Sequence, residues 1–150
     1  MSNEVQKQMW MQLLASGAVI GLISGLVRFA LTFFHFTQLQ LYGGQFPLTF
    51  MMESLRIPMG LLIWILLSVF TIVILQIFNG GSDSVWIGGL NGLLLQSIWC
   101  IFILPLLGFS VWPNQYEWRT IVVEFCFSIG WGTWLSMTQH YLKDVFQKQA

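Results

Sequence analysis

The sequence predicts an all-α polytopic membrane protein, a single domain built as a bundle of four transmembrane helices. Three observations carry this. Only 8% of the 150 residues are charged and 56% are hydrophobic, whereas a soluble domain carries roughly 25% charged residues to cover its surface. Mean hydropathy is +0.73. The apolar residues fall into four long runs separated by polar stretches with Gly, Pro or Trp, which is the pattern of bilayer spans. Six bases balance six acids, so there is no basic footprint for nucleic acid. Cys100 and Cys126 lie inside apolar runs as small fillers. No spaced Cys/His set suggests a metal, and no cofactor is implied.

The residues before Leu13 read as a short polar tail with Trp10 at an interface. The run that follows is too long for a signal peptide and lacks a small-residue cleavage site, so it reads as a retained helix. The first span is 13–36, about 24 residues and long enough to cross ~30 Å with tilt. Gly17, Gly21 and Gly25 recur at spacing four, a flat strip on which another helix can approach closely. Arg28 lies one turn beyond, and His35 suits an interface. Gly43-Gly44 and Pro47 break the long connection that follows. A short interfacial helix over 48–57, with Glu53 and Arg56 three apart, then leads to Pro58 in the first turn of the next helix.

The second span, 59–78, has no ionisable group and is expected to be the most lipid-exposed. Asn79 to Ser84 forms a turn whose Asp83 or Ser84 can cap the third span, 86–109. There Asn91 and Gln96 bring amides into the membrane, where each can bond across helices for roughly 1 kcal/mol, and Pro105 is expected to kink the helix. Trp112, Tyr116 and Trp118 form an aromatic belt ahead of the fourth span, 120–142. A polar tail closes the chain. Both termini then lie on one side with Lys7, Lys143 and Lys148, against Arg56 and Arg119 on the other. This favours cytoplasmic termini in a multi-pass protein of the plasma (inner) membrane.

Arg28 is the one base, and Glu124 the one acid, inside an apolar run. Such groups face protein or water and find a partner. The first span ends, and the fourth begins, on the same side of the membrane. Arg28 lies ~12 Å deep and Glu124 ~9 Å deep, from the helical rise. Matched depth and opposite sign predict an ion pair. Snorkelling of Arg28 to headgroups, or pairing of Glu124 with Arg119 or Arg56, are the competing arrangements. Ser128, Gly132 and Ser136 continue from Glu124 at spacing four, and this second strip is expected to face the glycines of the first span.

Phe34-His35-Phe36-Thr37, Val85-Trp86-Ile87-Gly88 and the glycine-containing stretch after Thr120 resemble the small membrane proteins called YqhR in bacilli. Leu104-Pro105 stands where that type has Asn-Pro. Gly21-Leu22-Ile23-Ser24-Gly25 with Arg28, Leu104-Pro105-Leu106-Leu107-Gly108, and Glu124 ahead of Gly130-Trp131 also resemble the YagU-type inner-membrane family. Either resemblance implies a bacterial plasma-membrane protein without an assigned enzymatic activity. The second adds a link to acid tolerance.

No Ser/His, paired-Asp or His-Glu metal pattern marks a catalytic site, so the chain is not expected to be an enzyme. The reading is an accessory or structural membrane protein whose partners are the lipid bilayer and other membrane proteins, including copies of itself. The alternative is a small-solute or proton pathway formed by an oligomer using Arg28, Glu124, Asn91 and Gln96.

Overall fold

The structure, a computed structural model, describes residues 3–37, 53–79, 85–98, 103, 106 and 117–148. Four helices account for nearly all of them: α1 (Asn3–Phe33), α2 (Glu53–Asn79), α3 (Val85–Ser97) and α4 (Trp118–Gln147). Three helical stretches, Asn3–Phe33, Ile57–Ile77 and Trp118–Gln147, are long and apolar enough to cross a membrane. Beyond Ile98 only Ile103 and Leu106 of the predicted third span are described, so its length, the kink expected at Pro105, Cys100, Trp112 and Tyr116 lie outside the described residues. The same holds for the Gly43-Gly44 break and the turn at 80–84.

α1 and α4 run past the predicted spans at the chain's two ends, whereas α1 stops at Phe33, short of the predicted residue 36. α1 begins ten residues before Leu13, because Val5 to Gln12 is polar yet made mostly of good helix formers. α4 continues beyond Leu142 to Gln147, and Met9, Leu13, Leu142 and Phe146 belong to one buried apolar cluster. Pairs four apart on each helix supply that contact. Within the two predicted polar tails, residues 3–12 and 143–147 are therefore helical. Residues 53–57 are continuous with α2 rather than a separate interfacial helix. Pro58 lies inside α2, in its second turn, where it removes the N–H that would bond the carbonyl of residue 54.

Two antiparallel hairpins make up the bundle. In the first, the Gly17–Gly21–Gly25 strip of α1 lies against α2. A methyl built at Gly21 would sit 2.7 Å from Ile65 Cα and 3.0 Å from Ser68 Cβ. In the second, α3 lies against α4 through Gly88 and Gly92 on one side and Ser128, Gly132 and Ser136 on the other. A methyl at Gly92 would sit 2.5 Å from Gly132 Cα and 2.7 Å from the Ser128 carbonyl oxygen. The two strips expected to face each other thus face different partners. A small-residue strip says that some backbone comes close, not which one. The hairpins join where α4 meets α1 and α2, and Trp64, Ile72, Leu75, Trp131 and Leu135 fill the interior. Although α2 has the lowest buried share of the three long apolar stretches, 28% against 39% for the others, it supplies the central Trp64.

α1 ends on a device that places the site. His35 N–H donates to Thr32 O and Phe36 N–H to Leu31 O, with His35 at φ 56°. This is a Schellman cap with histidine in the left-handed position usually taken by glycine. A non-glycine residue there costs about 1–2 kcal/mol, most for a β-branched side chain. His35→Gly is therefore expected to raise the unfolding midpoint in detergent, and His35→Val to lower it. The reverse order would show that the chain does not turn here in this way.

Candidate functional site

The site is a charged centre where the end of α1 meets the start of α4. Arg28 Nη1 donates to Glu124 Oε2 at 2.6 Å, with side-chain exposures of 1% and 12%. The structure thus brings together the two ionisable groups singled out in the sequence, across both hairpins. Thr37, carried back over the α1 terminus by the Schellman turn, donates its hydroxyl to Glu124 Oε1 at 2.8 Å. Each carboxylate oxygen has its own donor, and charge-assisted bonds of this kind are among the stronger ones. The Arg28 guanidinium carbon also lies over the Trp64 and Phe127 rings, 5.4 Å from each centroid, within cation–π range. Arg119, a rival partner for Glu124 on sequence grounds, instead lies over the Phe36 ring at 4.9 Å. The side chain of Arg56 lies outside the described residues.

A ladder of hydrogen bonds continues below the ion pair. Trp64 Nε1 donates to Ser24 Oγ at 2.6 Å, and Ser24 Oγ donates onward to the Ile20 carbonyl. Trp131 Nε1 donates to Ser68 Oγ at 3.0 Å. Gln139 Nε2 donates to Gln76 Oε1 at 2.8 Å. Trp64 stacks at a tilt against Phe127 and Trp131, with centroids 5.6 and 5.2 Å away. The partners of Phe127, Trp131 and Gln139 on α2 are 64, 68 and 76. These two helices therefore run parallel in one fixed register. Residues 124 to 139 extend about 22 Å along α4, so the bonds are spread over most of the bundle's length.

Ser128 and Ser136 are buried at the α3–α4 contact, and the Ser128 hydroxyl donates to the Glu124 carbonyl. Of the two α3 amides, Gln96 is buried and Asn91 half-buried. Neither belongs to the charged centre. Cys126, read as an apolar filler, is exposed. Thr37, Trp64, Ser68, Trp131, Gln76 and Gln139 are not among the site residues that the sequence predicts. For all but Thr37 the signal was there, since a polar atom inside an apolar run has to find a partner. Thr37 owes its place to the turn at His35, which the residue types do not announce. Among the described residues no group of three or more His, Cys, Asp or Glu side chains is arranged to hold a metal ion.

Comparison with protein families, curated proteins and solved structures finds no family model that matches the chain and no similar curated protein or solved structure.

Proposed function

We propose that the chain is a multi-pass protein of the plasma membrane, a four-helix transmembrane bundle with an accessory or structural role toward other membrane components. The observation that carries the membrane-spanning reading is an apolar exterior around an interior that also holds polar side chains. Val19, Leu22, Leu26, Leu66, Phe70, Leu90, Leu94, Val122 and Phe125 are exposed. Ser24, Arg28, Ser68, Thr71, Gln96, Ser128 and Gln139 are buried. Such an exterior suits hydrocarbon, and the interior bonds satisfy the polar groups that hydrocarbon would not. On this reading the Arg28–Glu124 centre is a brace that fixes how the two hairpins sit. Termini on the cytoplasmic side follow from the lysine count. Alkaline phosphatase fused after Ala150 is expected to be inactive, and the same enzyme inserted in the 37–57 connection to be active. The converse pattern overturns the orientation, and activity or inactivity at both places overturns the four-span topology.

A second reading, a proton or small-solute pathway, draws support from the succession of polar side chains from Glu124 to Gln139. Purified protein in vesicles with an imposed pH gradient separates the two. The structural reading expects the gradient to persist, and the pathway reading expects Glu124-dependent collapse.

A further inference from the structure

A cavity of about 230 Å3 lies where α2 and α3 meet α4. Leu67, Phe70 and Thr71 wall it from α2, Leu95 and Ile98 from α3, and Trp131 from α4. Phe70 and Ile98 are 60% and 41% exposed, whereas Thr71 and Trp131 are 1% and 3% exposed. Phe70 and Ile98 thus stand on the exposed side of the cavity, and Thr71 and Trp131 form its floor.

The chemistry of the lining selects the ligand. The Thr71 hydroxyl donates to the Leu67 carbonyl of its own helix, and the Trp131 indole N–H donates to Ser68 Oγ. Both polar groups of the floor are thus already engaged, and Gln96 is the remaining polar residue among the described lining. An apolar cavity of about 150 Å3 stays dry and takes up benzene, and this one is larger. Its opening lies level with Leu67 to Thr71, the middle of the Ile57–Ile77 stretch. It is flanked by the exposed apolar side chains Leu66 and Leu94.

We propose that this cavity is a lateral binding site for the distal part of a lipid acyl chain, entering between Phe70 and Ile98. The inference rests on the membrane-spanning reading, which puts the opening at the bilayer midplane. There the available ligand is hydrocarbon, and headgroups are half a bilayer away. Pockets between the helices of a bundle are common sites for apolar ligands. The site lies at the junction of the two hairpins, so a bound chain touches both.

The test uses the full chain in phosphatidylcholine vesicles whose acyl chains carry a terminal diazirine, with labelled residues mapped by mass spectrometry after irradiation. Labelling of the buried floor residues Thr71 and Trp131 is expected to exceed that of the equally buried Leu135 about tenfold, the ratio for a preference of about 1.4 kcal/mol. Filling the cavity by Leu95→Trp is expected to bring both down to the Leu135 level without change at the outward-facing Leu22 and Phe125. Should Leu95→Trp not fold, Leu67→Phe makes the same test from the other wall. Label on Leu22 and Phe125 with none on the floor means annular lipid only and overturns the site. Floor labelling that survives both fillings overturns it as well. Absence of label at Leu22 and Phe125 too overturns the membrane reading, and the site with it.

Discussion

Arg28→Met is expected to remove up to about 3–5 kcal/mol of stability, the cost of breaking a buried pair, because it leaves the half-buried Glu124 carboxylate without its counter-charge. Glu124→Gln should also destabilise, since it takes the carboxylate charge away from a guanidinium that is 1% exposed. The double variant should be more stable than the sum of the two losses predicts, with a coupling of roughly 1–3 kcal/mol. Trp64 and Phe127, which line the guanidinium, can then pack against the Met side chain. Thermal unfolding of the four proteins in one detergent supplies the cycle, and strictly additive losses would show that the two groups do not meet. Thr37→Val on its own should cost less, about 1.5–3 kcal/mol for a bond to a charged acceptor.

The second large effect is at the α3–α4 contact. Gly132→Ala would put a methyl 2.5 Å from Gly92 Cα and 2.8 Å from Gly92 N, with the Gly88 carbonyl oxygen also in its way. All three are backbone atoms, so no side chain can turn aside. Overpacking of this kind costs about 1–3 kcal/mol. Gly130→Ala, two residues away, meets nothing within 4 Å and should gain up to about 1 kcal/mol from helix propensity. The opposite signs separate packing from propensity on one helix. Gly21→Ala should also destabilise, and its effect should add to that of Gly132→Ala within about 0.5 kcal/mol, since the two strips lie in different contacts. Strong coupling between them would return the α1 strip to a place opposite α4.

The helical class and the meeting of Arg28 with Glu124 were legible because both rest on one dimension. Hydropathy along the chain sets where an apolar helix runs, and residue count sets how deep a charge lies. The pairing of the strips was not legible, since Gly17, Gly21 and Gly25 look the same to any partner. What assigns them to α2 is the shape of Ile65, Ser68 and Ile72 opposite. The helix ends were misplaced for a different reason. Polarity marks where an apolar run ends but not where a helix ends, and the stretches around Met9 and Phe146 are helical and bury one face. Thr37 stayed hidden because its position depends on the left-handed backbone of a histidine.

Arg28 and Glu124 are separated by 96 positions in the chain, and synthesis is directional. A nascent chain therefore holds α1 and α2 with a guanidinium whose carboxylate has not been made. Trp64 can offer its ring at that stage, but Phe127 and Glu124 arrive together with the last helix. The bond to Glu124 forms only when α4 docks against α1 and α2. A chain stopped short of Trp118 lacks both the Glu124 bond and the Phe127 ring at Arg28.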